Sequence, residues 1–152
     1  MTPSIVKAEK EHILHIAANV RDADKRELWD YMLLTPLEAL HKSIIVSPLA
    51  WTGMADEVPV CMFGCAPASV LSTVGRPWMI GTTDVDKYAM AFLRRNKRMV
   101  KVMMNNFDRL ENFVDVRNVK AIEWLKWLSF EFGEVRIMGP FLKPFQMFYM
   151  EK

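Results

Sequence analysis

The densest group of charges in the sequence lies in one predicted helix and could bind phosphate groups. Arg94, Arg95, Lys97, Arg98 and Lys101 fall within a single short segment. An arginine can contact a phosphate through two parallel hydrogen bonds, and a lysine adds a compact positive charge. A solvated helix face often has the same pattern of cations. The charges alone therefore leave both interpretations open.

A second candidate lies where a predicted strand runs directly into a predicted helix. Residues 113–116 alternate apolar and polar side chains and include β-branched ones, which indicates a short strand. Asn118 stands one step before a helical pattern, so its side-chain oxygen could accept a backbone N–H of the first turn. A helix that begins at the end of a strand suits an anion or a polar cofactor group. A plain strand and a core helix would explain the same pattern.

The third candidate is a pair of carboxylates near the start of another predicted helix. Asp24 and Glu27 have the spacing of a capping box, which is a sufficient structural explanation for both. Glu27 is also a candidate general base, because a positioned carboxylate can take a proton from a reacting group. His12 and His15 could in principle share a metal, but no third ligand lies at a suitable spacing. Surface histidines are therefore favoured, and no metal site is predicted.

Composition limits the function classes that the chain can belong to. The 152 residues are 51% hydrophobic and 25% charged, with a net charge of +2, which is typical of one globular domain over residues 1–152. No apolar run approaches the roughly 18 residues of a membrane span. The small net charge and the separation of aromatic residues from cations argue against nucleic-acid binding. Cys61 and Cys65 would lie roughly 13 Å apart on a strand, so reduced thiols are predicted.

The predicted elements follow a mixed order of helices and strands. The strands are predicted at residues 5–8, 44–51, 58–64, 76–82, 113–116, 132–138 and 145–150. The helices are predicted at residues 10–20 and 84–110 and from residues 24, 35 and 119 onward. This order predicts an α/β sandwich in which helices flank a mixed, largely antiparallel central sheet.

Two local predictions complete this assignment. Trp124, Leu125 and Leu128 share one face of the helix after Asn118, so this face should be buried against the sheet. The helix from residue 35 should be short, with His41 at its end and a strand from residue 44 onward. Gly53 should then lie in the turn between the next two strands.

The order of elements and several short segments resemble the GNAT family of N-acetyltransferases. The segment N-x-x-A-x-x-W-L-x-x-L-x-F, residues 118–130, is similar to the family pattern N-x-x-A-x-x-x-Y-x-x-x-G-F after the fifth strand. More narrowly, the chain resembles the phage GNAT-like group that includes the internal virion protein A of short-tailed phages. The segments that support this closer resemblance are R-x-A-D-x-x-E from Arg21, P-W-x-x-G-T from Pro77, F-x-R from Phe92, and residues 118–130.

The resemblance implies a cofactor, acetyl-CoA, in a wedge between the fourth and fifth strands. Its acetyl carbonyl would meet the backbone near Ile80 and Gly81, and Asn118 would contact the pantetheine arm. A carboxylate, for which Glu27 is the candidate, or water would deprotonate an amine that attacks the thioester. The resemblance also implies that the pyrophosphate lies on the N-terminus of the helix after the fourth strand. The nearest stand-in for the family's phosphate-binding loop is Arg94, Arg95, Asn96, Lys97 and Arg98.

Two departures from the family pattern keep two functions open. No glycine lies between Gly81 and Met99, so the family's glycine-rich phosphate loop is absent. The family's helix tyrosine is also missing, and Trp124 and Trp127, which lie nearby, cannot act as acids near neutral pH. The chain is expected to acetylate an amine of a host or phage protein, or to be a non-catalytic virion protein that binds other virion proteins. Either function predicts a location in the host cytoplasm or the virion.

Overall fold

The structure is a computed structural model that describes residues 2–152 and contains seven strands and five helices in that range. The strands are β1 (Pro3–Lys7), β2 (Leu49–Ala55), β3 (Val58–Pro67), β4 (Val74–Gly81), β5 (Arg109–Asp115), β6 (Glu131–Met138) and β7 (Lys143–Glu151). The helices are α1 (Ile13–Ala18), α2 (Asp22–Met32), α3 (Pro36–Val46), α4 (Ala89–Asn106) and α5 (Val119–Trp127). Short 3-10 segments, Lys10–His12 and Thr83–Tyr88, precede α1 and α4. In the described part of the chain, no helix is both long and apolar enough to cross a membrane.

All seven strands form one sheet in the order β1-β2-β3-β4-β5-β7-β6. Every neighbouring pair is antiparallel except β4 and β5, which confirms the predicted mixed, largely antiparallel sheet. The parallel β4–β5 pairing contains only Val74 with Arg109 and Gly75 with Leu110. Beyond these residues β4 pairs only with β3, and β5 pairs only with β7. An open wedge therefore separates the second halves of β4 and β5.

Helices cover both faces of the sheet, as the predicted sandwich requires. Cys61 and Met62 are consecutive in β3, so their side chains point to opposite faces. Met62 packs in a core with α1, α3 and Leu28 of α2, whereas Cys61 packs in a second core with α4 and α5. Cys61 and Cys65 are free, buried thiols. α2 and α3 thus lie on one face of the sheet, and α4 and α5 lie on the other.

The boundary between α3 and β2 differs from the sequence prediction. α3 continues to Val46, so Ile44 is helical and His41 lies within the helix rather than at its end. Gly53 lies inside β2, and the turn of the hairpin is at Asp56, which has a positive φ of 53°. The β-branched residues before Ser47 favour a strand, but the capping box at Thr35 starts a helix that extends through them.

The long predicted helix at residues 84–110 is also shorter in the structure. Its first residues form the 3-10 segment Thr83–Tyr88, and α4 ends at Asn106. Leu110 belongs to β5, which begins four residues earlier than the predicted strand at 113–116. The apolar spacing of three and four residues continues to Phe107, but this residue is extended, with φ −135° and ψ 150°. Periodicity alone therefore placed the end of the helix too late.

Candidate functional site

A cavity of about 430 Å³ lies where β4 and β5 separate. Its walls come from α2 and α3 on one face of the sheet and from α4 and α5 on the other, so the cavity joins the two faces through the wedge. Most lining side chains are apolar, which is typical of small-molecule sites. The polar and charged side chains that line it are Asp24, Glu27, Tyr31, Lys42, Ser43, Arg76, Trp78, Asn96, Asn112 and Asn118.

The narrow end of the wedge is bridged by the side chain of Asn112 in β5. Its Nδ2 donates to the carbonyl of Pro77 in β4 at 2.9 Å, and its Oδ1 accepts from the N–H of Phe113 at 2.9 Å. One amide therefore takes the place of the backbone pairing that ends at Gly75. Beyond this bridge, the two strands are far enough apart for the cavity to pass between them.

The backbone of β4 alternates between β3 and the wedge. Thr82 donates its N–H to Val60 of β3, so by alternation the backbone groups of Ile80 also point to β3, where Ile80 is opposite Met62. Those of Met79 and Gly81 point into the wedge. Ile80 contributes its buried side chain to the cavity, and Met79 also lines it. The contact of an acetyl carbonyl with the backbone near Ile80 and Gly81 stays a prediction.

Asp24 closes the β4 side of the wedge. Its carboxylate accepts hydrogen bonds from Arg21 Nη1 at 2.9 Å, from the N–H of Gly81 at 3.0 Å and from Asn118 Nδ2 at 3.2 Å. The predicted capping box is wrong, since α2 begins at Asp22 and Asp24 lies inside its first turn without capping it. Burial raises the pKa of Asp24, and the adjacent Arg21 guanidinium opposes this shift.

Glu27, one turn further along α2, closes the β5 side. Its Oε1 accepts a hydrogen bond from the N–H of Asp115 at 2.6 Å. Burial raises the pKa of Glu27 to about 8; the bond from Asp115 opposes this, and the negative charges of Asp24 and Asp115 add to it. Glu27 lines the cavity and is partly accessible from it. A carboxylate in this state can take up or release a proton near neutral pH.

Asn118 begins α5 as predicted, but its side chain does not cap the helix. Its Nδ2 donates to Asp24 instead, and its Oδ1 is buried without a hydrogen-bond partner among the described residues. The Oδ1 of Asn96 in α4 is also buried without a hydrogen-bond partner among the described residues. Both residues line the cavity. Because a buried acceptor without a partner is costly, these two oxygens are candidate acceptors for the N–H groups of a ligand.

The predicted apolar face of α5 lies against the core, but it is not fully buried. Trp124, Leu125 and Leu128 pack against buried residues and also line the cavity, so each is half-buried. The guanidinium of Arg21 lies over the Trp124 ring, 4.9 Å from its centroid. The face was therefore assigned correctly, and the cavity accounts for its remaining exposure.

The predicted phosphate-binding cations do not reach the cavity. The structure places all of them on α4: Arg94, Arg95, Lys97, Arg98 and Lys101. Arg95 donates to the carbonyl of Ala91, and the Lys97 ammonium lies over the Trp127 ring of α5, 4.6 Å from its centroid. Of the segment 94–98, only Asn96 lines the cavity. The role of the cations toward a phosphate outside the cavity stays a prediction.

The segment after β4 is acidic rather than basic. Thr82 starts the 3-10 segment by accepting the N–H of Asp84, and Asp86 lies in the same turn. Lys120 of α5 approaches Asp86 at 3.5 Å, which connects this segment to the start of α5. The sequence resemblance implies a pyrophosphate near this helix start, where two carboxylates would repel it.

Arg117 is a site residue that the sequence interpretation missed. Its guanidinium donates to both oxygens of Asp115, from Nε to Oδ1 at 2.9 Å and from Nη2 to Oδ2 at 2.5 Å, and from Nη2 to Asp30 Oδ2 of α2 at 2.5 Å. This network connects the end of β5 to the end of α2 and therefore supports the contact between Glu27 and Asp115. No local signal identifies it, because Asp30 lies 87 residues away in sequence.

The two histidines have no common ligand. His12 Nδ1 lies 2.8 Å from Thr52 Oγ1, and His15 is exposed on α1. Within residues 2–152, no group of three or more His, Cys, Asp or Glu side chains has an arrangement that could hold a metal ion.

Comparison with known proteins identifies the fold. No protein-family model and no curated protein sequence matches the chain. An N-acetyltransferase from Staphylococcus aureus Mu50 matches 99% of this chain over 99% of its own length, with a TM-score of 0.76 and 11% identity. The spermidine N-acetyltransferase from Vibrio cholerae, in complex with CoA and spermine, matches 98% of this chain over 95% of its own, with a TM-score of 0.68 and 12% identity. The ribosomal-protein-S5-alanine acetyltransferase from Vibrio fischeri matches 98% of this chain over 92% of its own length, with a TM-score of 0.67 and 11% identity. The chain thus has the fold of the GNAT-type N-acetyltransferases.

Proposed function

We propose that this protein is an acetyl-CoA-dependent N-acetyltransferase of phage origin that acetylates an amine, with Glu27 as the general base. The observation that supports it most strongly is the position of Glu27. Its carboxyl group lies at the open wedge between β4 and β5, faces the cavity, and has a pKa raised to about 8. A base is most useful when its pKa is near the working pH, and Glu27 meets this condition.

The cavity has the chemistry that a pantetheine arm requires. That arm combines apolar methylene groups with two amides, each of which offers one N–H donor. The described cavity combines apolar walls with two buried amide oxygens that lack donors, those of Asn96 and Asn118. These two residues would hold the arm, and acetyl-CoA would supply the activated acetyl group as a thioester.

The chain's own residues would bind the amine and take its proton. An amine that enters the apolar cavity loses water, which favours its neutral form. The amine nitrogen forms the new bond to the acetyl carbon, the carbon–sulfur bond of the thioester breaks, and the CoA thiolate leaves. Glu27 accepts the proton that the nitrogen loses. Asp24 and Arg117 would act as positioning residues, because they fix the β4 and β5 edges beside Glu27.

A second candidate function is a non-catalytic virion protein that uses this fold to bind other virion proteins. Two observations favour it. Asp84 and Asp86 lie where the resemblance implies the pyrophosphate, and Lys97 contacts Trp127 across the gap between α4 and α5. A pair of carboxylates repels a pyrophosphate, and the contact between α4 and α5 narrows the path by which CoA would approach the cavity. Phage origin and a location in the host cytoplasm or the virion are part of both proposals and rest on the sequence resemblance.

Titration of acetyl-CoA into the purified protein separates the two functions. The enzyme proposal predicts measurable heat of binding and a thermal shift that grows with ligand concentration as RT ln(1 + [L]/Kd). Substitution of Asn96 by leucine should weaken the binding. An absence of both heat and thermal shift at low salt with millimolar acetyl-CoA would favour the virion protein.

A further inference from the structure

The α2–α3 side of the cavity has carboxyl groups at one end and Arg76 near the other, next to the paired residues Val74 and Gly75 of β4. The carboxyl groups of Asp24 and Glu27 lie at the wide end of the wedge, where they contact Gly81 and Asp115. The cations are Arg76 of β4 and Lys42 of α3, and both line the same cavity. Neither cation has a salt-bridge partner within residues 2–152. Apolar side chains that line the same side of the cavity include Leu28, Met32, Val46 and Trp78.

Strand alternation places Arg76 on this face of the sheet. Arg76, Trp78 and Ile80 are alternate residues of β4, so their side chains share one face. Trp78 donates its Nε1 proton to Ser47 Oγ at the end of α3 at 2.8 Å, which identifies that face as the one covered by α2 and α3. The charges act on a common neighbour, Tyr31: burial raises the pKa of its hydroxyl, the Arg76 charge opposes this, and the Glu27 charge adds to it.

The separation of the two ends sets the length of a ligand that could reach both. Gly81, which contacts Asp24, is five residues beyond Arg76 on β4, or about 16 Å between Cα atoms. An arginine side chain and a carboxylate side chain are long enough to span part of this distance. The remaining gap is the length of a short apolar segment, such as a ring with a two-carbon arm.

We propose that the acetyl acceptor is an apolar primary amine that carries an anionic group, a carboxylate or a phosphate, several bonds from its nitrogen. The inference rests on the function proposed above and narrows its substrate class. The amine would lie at Glu27, and the anion would contact the Arg76 guanidinium, which can pair with a carboxylate or phosphate through two hydrogen bonds. Lys42 would add a second positive charge. A polyamine is disfavoured, because its second ammonium group would lie near these two cations.

A matched series of amines tests this substrate class. We would measure acetylation of 4-(2-aminoethyl)benzoate, of 2-phenylethylamine, which lacks the carboxylate, and of spermidine, which carries further cations. We expect kcat/KM to be highest for the benzoate, lower for phenylethylamine and lowest for spermidine. A corresponding preference for 4-(2-aminoethyl)phenyl phosphate over the benzoate would identify phosphate as the better anion.

Charge variants of the cation end provide the second arm. Arg76→Ala should raise KM for the benzoate by about fivefold, the upper scale of one exposed ion pair, with KM for phenylethylamine within twofold of wild type. Arg76→Glu should reverse the preference toward spermidine. Lys25→Ala is the matched control, since Lys25 is an exposed cation of α2 that does not line the cavity. It should leave all three KM values unchanged.

Direct binding of the benzoate by calorimetry separates this inference from the transfer reaction. Equal acetylation of all three amines, or a preference for spermidine, would overturn the acceptor class and leave the transferase standing. Binding of the benzoate that weakens in Arg76→Ala, without acetylation of any amine, would uphold the ligand class and overturn the transferase. No binding and no acetylation would overturn both.

Discussion

Asp24 and Glu27, three residues apart on α2, each accept a backbone N–H from one of the two separated strands. Asp24 contacts the N–H of Gly81 in β4 at 3.0 Å, and Glu27 contacts the N–H of Asp115 in β5 at 2.6 Å. One helix turn therefore satisfies the strand edges that the wedge leaves without a partner. The same turn places a carboxyl group with a raised pKa at the cavity. This relationship connects the shape of the sheet to the proposed chemistry.

The first prediction concerns Glu27→Gln, which keeps the shape of the side chain and an oxygen for the Asp115 N–H. Because the amide cannot accept the amine proton, kcat for acetyl transfer should fall by about 10²–10⁴-fold. Acetyl-CoA binding by calorimetry should stay within a few-fold of wild type. Glu11→Gln, at an exposed carboxylate outside the cavity, is the control and should leave kcat unchanged. An unchanged kcat in Glu27→Gln would remove Glu27 from the reaction.

The second prediction concerns the dependence of stability on pH. The pKa of Glu27 rises from an ordinary 4.5 to about 8 on folding, so the folded state favours the protonated carboxyl group. Its contribution is fully present below pH 4.5, is lost as pH rises from there to about 8, and is constant above that. The free energy of unfolding should fall across this window by up to roughly 5 kcal/mol from Glu27.

Chemical denaturation of wild type and of Glu27→Gln at several pH values measures this term. The difference in stability between the two proteins gives the contribution of Glu27 alone. Asp24 and Asp115 also have shifted pKa values: that of Asp24 is raised, and that of Asp115 is lowered because the pairing with Arg117 outweighs burial. Wild type should lose stability relative to the glutamine variant as pH rises from 5 to 8. Parallel stability curves over that range would mean that the folded carboxyl group has an ordinary pKa.

The third prediction concerns Asn96, whose buried amide oxygen has no partner among the described residues. Asn96→Leu replaces the amide by an apolar group of similar size. Removal of an unsatisfied buried acceptor should raise the free energy of unfolding by about 1 kcal/mol, while acetyl-CoA affinity falls. Asn105→Leu, at an exposed position of the same helix, should change neither quantity appreciably. Loss of stability without loss of affinity would show that Asn96 has a structural partner instead.

The fourth prediction concerns Arg117, which pairs with Asp115 and Asp30. Arg117→Ala leaves the fully buried Asp115 carboxylate without its counter-ion, so the free energy of unfolding should fall by about 1–3 kcal/mol. Arg136→Ala is the matched control, because Arg136 pairs with an exposed carboxylate and its loss should cost under about 1 kcal/mol. Equal midpoints of denaturation for the two variants would contradict this assignment.

The sequence predicted the order of the elements and the class of sheet, because these depend on periodicity and on local signals such as the Thr35 capping box. It could not predict the partners of Asp24 and Glu27. Their contacts with Gly81 and Asp115 join residues 57 and 88 positions apart, whereas their own spacing imitates a local capping box.

The cations of α4 show a second limit of sequence interpretation. The number of positive charges at residues 94–101 is evident from sequence, but their direction depends on how the apolar face of α4 packs. That face contains Phe92, Leu93 and Asn96, so most of the neighbouring cations point away from the cavity. Asn96, the one polar residue of this segment on the buried face, was predicted only as a member of the cluster.

Acetyl transfer measured as a function of pH, with 4-(2-aminoethyl)benzoate as acceptor and release of the CoA thiol as readout, tests the central claim most directly. Transfer should rise as pH passes through about 8, where Glu27 becomes the free base, and it should be lost in Glu27→Gln. If none of this amine, phenylethylamine and spermidine were acetylated above the uncatalysed rate between pH 6 and 9.5, that result would contradict the proposed transferase.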